Sequence, residues 1–284
     1  MCFRVPIKTV FATKSCSTKL GAPTLGYSNQ YIFHLPYLDP IIYSVAMGKR
    51  KGNDNTKTKS ATTNGRKDKV SVAAVAGIPA NLRPKASVLH KFGNIQCLSQ
   101  GTVWVQSNFF SPDECRDWIE WSQSQWEYTT QRATRYMAHR ECYRIQRDDA
   151  EVAQGIFDRL RQSGLSDCLR RELEYPKARY QPVACNPNIR LYQYGKQMSF
   201  GKHIDGSNET SVGQTEITLL IYLSECQGGA TRFYRSAKDS FAFTPQVGAV
   251  LLHVHGDRCL EHEADPVLSG TKYVLRSDIC YRLV

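Results

Sequence analysis

The spacing of apolar residues changes along the chain, and the changes mark out elements. Order begins near residue 95, where Val103, Val105, Phe109 and Phe110 predict a strand running into a helix start. Ser111-Pro112-Asp113-Glu114 has the form of a helix N-terminus: a serine cap, proline in the first turn and a glutamate reaching back. Cys115, Trp118, Ile119 and Ser122 then share one helical face. A second helix opens near Asp148-Asp149, turns Val152, Ile156 and Leu160 inward, and stops around Gly164. From about residue 187 the pattern becomes one of short strands. Ile189, Leu191 and Gln193 alternate with Arg190, Tyr192 and Tyr194. An apolar strand is expected at 215–223, a turn at Gln227-Gly228-Gly229, and further strands at 230–234, 240–243, 248–254 and 272–281. Short strands separated by turn residues predict an antiparallel sandwich or barrel. Helices ahead of strands give an α+β class, with helices backing one sheet.

The N-terminal part is different. Residues 1–46 contain no acid before Asp39, carry Arg4, Lys8, Lys14 and Lys19, and show a poor amphipathic pattern. A targeting segment, a disordered tail, or a start at Met47 all fit that composition. Residues 48–69 are polar, basic and poor in aromatics, which cannot bury enough apolar surface to fold. The expected organisation is a disordered or targeting basic tail at 1–69, a linker at 70–95 and a folded domain at 96–284, its β core at 188–284. The formal charge of +11 over 284 residues is high, but much of the excess sits in the tail. Nucleic acid is therefore conceivable as a partner but not preferred. The ten cysteines show no Cys-x-x-Cys and no even spacing. They read as small buried hydrophobes in a reducing, intracellular setting, cytoplasm or nucleus. The apolar segment 31–47 is interrupted by His34, Pro36, Asp39 and Pro40, so no membrane association is expected.

The chemistry-bearing residues cluster in the strand-rich part. His203 and Asp205 are two apart, so one strand projects both to the same face. A His-x-Asp pair with a distant second histidine is the two-histidine, one-carboxylate arrangement that holds Fe(II) on one face and leaves the opposite positions open. Three histidines follow. His253 and His255 share one strand face, and His262 precedes a turn and strand carrying Lys272, Val274 and Arg276 on one face. His262 is the better placed because of that neighbour. A lysine pointing into a barrel beside a metal is costly unless an anion pairs with it, and the far carboxylate of 2-oxoglutarate is such an anion. Arg276 and Arg190 are rival clamps, and Tyr194 can support the same carboxylate through its hydroxyl.

At this point the chain resembles the prolyl-4-hydroxylase-type catalytic domain of the 2-oxoglutarate/Fe(II) dioxygenases. The resemblance rests on Arg190-Leu191-Tyr192-Gln193-Tyr194-Gly195, His203-Ile204-Asp205-Gly206, Gly228-Gly229-Ala230-Thr231-Arg232-Phe233, Pro245, Gly248, His262-Glu263, Pro266-Val267 and Gly270-Thr271-Lys272-Tyr273. It implies a double-stranded β-helix, or jelly roll, supported by N-terminal helices. It implies Fe(II) held by His203, Asp205 and His262, and 2-oxoglutarate held by Lys272 with help from Tyr194. O2 and ascorbate complete the expected requirements. Glu261, where an apolar residue is usual, and Ala264, where glycine is common, depart from the pattern. The expected activity is hydroxylation of a C–H bond in a protein or small molecule, releasing succinate and CO2. The rival is a non-catalytic protein of the same fold that uses its basic tail to bind nucleic acid or a protein partner.

Overall fold

The computed structural model describes residues 77–85, 90–135, 137–173 and 179–284. The expected tail, residues 1–69, lies outside the described residues. Among the described residues a 3-10 turn at Ala80–Leu82 comes first, then β1 (Ile95–Ser99), β2 (Val103–Gln106) and α1 (Pro112–Ser122). Then come β3 (Glu127–Gln131), β4 (Arg140–Asp148), α2 (Ala150–Gln162) and α3 (Leu165–Glu172). The strand-rich part comprises β5 (Tyr180–Cys185), β6 (Asn188–Tyr194), β7 (Phe200–His203), β8 (Glu209–Thr210), β9 (Gly213–Tyr222) and β10 (Cys226–Gly228). It closes with β11 (Thr231–Ser236), β12 (Asp239–Phe243), β13 (Val250–Val254), β14 (Glu261–Ala264), β15 (Val267–Gly270) and β16 (Lys272–Leu283).

The main sheet runs β1-β2-β13-β9-β16-β6-β4-β7-β14-β11-β12, and the described strand pairs are antiparallel. The sheet curls so that strands far apart in this order face each other. Phe233 on β11 meets His253 on β13 at a ring distance of 5.5 Å, and Tyr222 on β9 is hydrogen-bonded to Thr231 on β11. This closure is the jelly roll, and it places the inward side chains of both layers around one cavity. Helices α1 to α3 pack Trp118, Ile156, Leu160, Leu165 and Leu169 into the core with Leu219, Leu252 and Leu275 of the sheet.

The helix starts follow from their caps. Ser111 Oγ accepts from Glu114 N, and the Glu114 carboxylate accepts from Ser111 N, as the sequence predicts. Such caps stabilise a helix by about 0.5–2 kcal/mol. Arg159 of α2 donates to the same Glu114 carboxylate at 2.7 Å and to the carbonyls of Phe109 and Lys85. One buried guanidinium thus ties α1, α2 and the preceding segment together.

Several details differ from the sequence reading. Helices do not precede all the strands: β3 and β4 lie between α1 and α2, and β4 inserts between β6 and β7. Only Cys142 and Ile145 of β4 are fully buried, so the strand lacks a readable alternation. Gly164, at φ +80°, ends α2 as expected but also opens α3, which has just a short apolar face. Gln227-Gly228 is a strand pair with β15 before the chain turns at Gly228 and Gly229. The described part of the expected linker is packed, with Ile78 and Leu82 in the core. Pro84 sits so close to α2 that a Cβ on Gly155 would meet its carbonyl at 2.6 Å. The eight described cysteines are free. Among the described residues no helix is long and apolar enough to cross a membrane.

Candidate active site

His203 is the last residue of β7, and His262 on β14 is its direct cross-strand partner. Asp205 follows two residues beyond the end of the strand, while Ile204 between them points to solvent. The ligand atoms of His203, Asp205 and His262 lie within 4.8 Å of one another. His203 Nε2 is 3.7 Å from Asp205 Oδ1, and His262 Nε2 is 4.0 Å from Oδ2. Each imidazole is oriented by a backbone carbonyl. His203 Nδ1 donates to Gly201 O at 2.8 Å, and His262 Nδ1 to Leu260 O at 2.9 Å. A carbonyl only accepts, so the proton sits on Nδ1 and the Nε2 lone pair faces the carboxylate. Burial pushes His203 down to about 3, helped by His262, and burial also lowers His262. Burial alone would raise Asp205, but Arg276 and three imidazoles hold it well below the usual carboxylate range. Neutral imidazoles aimed at an ionised carboxylate form a donor set suited to a divalent cation.

Asp205 is held in turn. Thr218 Oγ1 donates to Oδ2 at 2.6 Å and Arg276 donates to it at 2.9 Å, leaving Oδ1 on the His203 side. Arg276 also bonds Thr218 and Asp278, and Asp278 pairs with Arg190. His255, from beyond the end of β13, contacts Thr218 at 2.8 Å rather than Asp205. The floor beneath the two imidazoles is therefore a network of alternating charge, with Arg276 part of it. Arg190 pairs below this floor and is absent from the pocket wall.

Lys272 stands at the other end of the same pocket, 3% exposed. Its Nζ donates to Gly229 O at 2.7 Å and lies 5.5 Å from the Tyr194 ring and 5.7 Å from the Tyr222 ring. It makes no ion pair among the described residues. Burial pushes it down to about 8, against weak opposing pulls from Cys226 and Asp265. Gly229 is required here twice. Its φ is +63°, and a Cβ would press on Cys226 Sγ at 2.9 Å and Lys272 Cδ at 3.3 Å. Tyr194 is the cross-strand partner of Lys272 and lines the same wall. Glu261 points away, paired with Lys202 at 3.9 Å, while Ala264 lines the pocket.

The pocket holds about 490 Å³ of space open to its mouth. Its wall also includes Arg140, Tyr192, Phe200 and Glu263, with Arg140 stacked 3.8 Å over the Phe200 ring. Thr218, Asp278 and Arg140 were not singled out from the sequence, and Gly229 was read only as part of a turn and motif. The Arg276-x-Asp278 spacing on one strand was a usable signal. Thr218 gave none, because β9 buries 217, 218 and 219 in succession and offers no alternation.

Residues 189–277 match the profile of the 2OG-Fe(II) oxygenase superfamily. The matched segment runs from β6 into β16 and carries His203, Asp205, His262, Lys272 and Arg276. No curated protein shows detectable sequence similarity to the chain. Among solved structures, a viral collagen prolyl hydroxylase from Paramecium Bursaria Chlorella virus-1, in complex with 2OG, is similar at 18% identity. The match covers 63% of this chain and 95% of that one, with a TM-score of 0.45. A Pseudomonas putida prolyl-4-hydroxylase is similar at 16% identity over 65% and 94% of the two chains, TM-score 0.45. A Trichoplax adhaerens prolyl hydroxylase, in complex with a hypoxia inducible factor peptide fragment, is similar at 17% over 63% and 84%, TM-score 0.45.

Proposed function

We propose that His203, Asp205 and His262 hold Fe(II), that Lys272 holds the far carboxylate of 2-oxoglutarate, and that the enzyme hydroxylates a C–H bond of a prolyl residue in a protein. The observation that carries the reading is Lys272. A buried ammonium costs several kcal/mol without an anion, and this one shares a pocket with a divalent-metal donor set. A molecule with a metal-chelating end and a remote carboxylate satisfies both. Bound together, iron, 2-oxoglutarate and O2 supply an oxidant that breaks unactivated C–H bonds, and 2-oxoglutarate leaves as succinate and CO2.

The chain's own residues divide the remaining work. Gly201 and Leu260 carbonyls fix the two imidazoles, and Thr218 and Arg276 fix the carboxylate. Leu220, Val274 and Tyr194 keep water from the interior wall. Arg140, Tyr192 and Phe200 meet the substrate at the mouth. The prolyl assignment rests on the prolyl-4-hydroxylase-type motifs around His203 and Lys272, and ascorbate is expected to sustain turnover. The test is succinate release from 2-oxoglutarate with Fe(II) and ascorbate. Peptides from treated extracts are then searched for prolyl residues heavier by one oxygen atom. Succinate without any oxygen gain on proline refutes the prolyl assignment, and no succinate refutes the whole reading.

A further inference from the structure

One arginine of the pocket wall has no polar partner. Burial alone would raise the Tyr192 phenol, but Arg190, Arg140, Arg276 and Arg144 around it pull it below the usual range. That wall therefore carries a positive field. Three of the four arginines are engaged by the protein. Arg190 pairs with Asp278, Arg276 with Asp205 and Asp278, and Arg144 donates to Gln146 Oε1. The Arg140 guanidinium makes no hydrogen bond or ion pair among the described residues, and its Nε is buried without an acceptor. The carboxylates of the wall are already engaged: Asp205 accepts from Thr218 and Arg276, and Glu263 from the Tyr234 hydroxyl.

What Arg140 does touch is aromatic. Its guanidinium carbon lies 3.8 Å from the Phe200 ring centroid and 5.8 Å from that of Tyr192. Phe200 is itself stacked on His203, with ring centroids 3.7 Å apart and planes 22° apart. Arginine, phenylalanine and the first histidine of the metal site thus form one pile of planes. Strand pairing fixes the pile, because Arg140 of β4 is the cross-strand partner of Phe200 on β7. Stacking holds the guanidinium by its faces and leaves the N–H donors around its rim for an acceptor in its plane. A carboxylate fits that rim with two parallel hydrogen bonds.

We propose that Arg140 binds a carboxylate of the substrate, an acidic side chain within about two residues of the target prolyl residue. The inference rests on the oxygenase reading above and names a substrate feature that reading leaves open. The distance follows from the pile. Two stacking spacings separate the guanidinium from the His203 ring, and an extended peptide advances about 3.3–3.6 Å per residue. Arginine suits this task better than lysine, because its planar fork selects a carboxylate by shape as well as by charge. Sequence pattern alone could not pick it out, because it is one of five arginines between residues 132 and 147.

The test uses the full chain loaded with Fe(II) and 2-oxoglutarate in oxygen-free buffer, so that peptides bind without turnover. The probes are labelled, end-blocked alanine peptides with one central proline. Glutamate is placed in turn at each of the three positions on either side, with a glutamine series as the uncharged control. Fluorescence anisotropy should show affinity at least about tenfold higher for glutamate at the best position. Arg140→Met keeps an apolar side chain over Phe200 and should make the two series bind equally. Arg140→Glu should reverse the order in favour of lysine peptides. Thermal unfolding checks both variants, and if Arg140→Glu does not fold, Arg140→Met carries the test. Equal binding of both series to the native protein, a glutamate preference that persists in Arg140→Met, or no binding of either series overturns the proposal. A gain seen only with an unblocked C-terminal carboxylate beside the proline overturns the side-chain source and assigns the anion to a chain end. Oxygen is then admitted and succinate measured. No succinate, with the glutamate preference intact, overturns the oxygenase reading and leaves Arg140 as a carboxylate site.

Discussion

Arg276 and Lys272 project from the same strand into the same pocket, four residues apart, and differ in what surrounds them. Arg276 is set against Asp205, Asp278 and Thr218, so its charge is neutralised by the protein and its proton is held more tightly than usual. Lys272 has one carbonyl and two aromatic faces, and burial loosens its proton. The first cation belongs to the structure and organises the Asp205 carboxylate. The second is left for a ligand to complete. A buried charge paired internally serves the fold, and one left unpaired beside a cavity serves binding.

The largest effect that tests this contrast comes from the metal end. Asp205→Ala removes a donor and strands Arg276 with Asp278 alone. Succinate release should drop to background, and divalent-metal affinity should collapse. The same assay on His203→Ala should give the same result. Turnover above about a tenth of native in either variant would break the assignment of this end to the metal.

The next test exchanges the two cations. Lys272→Ala removes a charge-assisted bond to the cosubstrate, which is worth about 2–5 kcal/mol. The 2-oxoglutarate Michaelis constant should rise at least about thirtyfold, at roughly tenfold per 1.4 kcal/mol. Metal affinity and the thermal midpoint should hold, and Lys272→Met should raise the midpoint at pH 7. Arg276→Ala should behave oppositely. It takes the cation from the buried Asp205 carboxylate, while Asp278 keeps Arg190, and should cost about 3–5 kcal/mol of stability. If Arg276→Ala raises the Michaelis constant in a stable protein while Lys272→Ala does not, the roles are reversed.

Much of this site was legible before the fold was known, for a physical reason. His203 ends its strand with Asp205 two residues on, close enough for both to reach one site, and Lys272 and Arg276 share the phase of another strand, so the period of two carries that pair to one face. The helix starts at Ser111 and Asp149 were readable because caps are local chemistry. What was not legible depends on contacts across sequence. Nothing near Ile78 or Leu82 announces that they enter the core, and the reason lies in Arg159 and Gly155, over seventy residues away. The choice between Lys272 and Arg276 also stayed open in the sequence. What distinguishes their surroundings is Asp205, Thr218 and Asp278, distant in sequence and gathered around Arg276 by the fold.

A pH titration sharpens the contrast with a smaller effect. The folded-state pKa of Lys272 is depressed from 10.5 to about 8, so its charge is present below that pH and lost above it. Binding of 2-oxoglutarate should therefore be strongest near neutrality and weaken as pH rises through 8. At pH 9 about a tenth of the lysine is charged, so affinity should be about tenfold lower. Calorimetry on the metal-loaded protein measures this, with Lys272→Arg as control. The arginine stays charged, so its profile should be flat. A native profile that is equally flat would show that Lys272 does not bear the cosubstrate's charge.

The smallest expected effect lies in Thr218. Its hydroxyl has one proton, given to Asp205 Oδ2, and its lone pairs meet Arg276 and His255. Thr218→Val keeps the shape and removes the hydroxyl. Asp205 Oδ2 retains Arg276, so the carboxylate stays ionised and close to its position. The loss is one hydrogen bond to a charged group, about 1.5–3 kcal/mol at most, shared between stability and metal binding. Co(II) affinity should fall by roughly three- to tenfold, with the 2-oxoglutarate Michaelis constant unchanged because Lys272 is untouched. A rise in that constant matching the loss of metal affinity would show that the two ends of the pocket are coupled through the floor network. Independence would show that one strand carries two cations with separate duties.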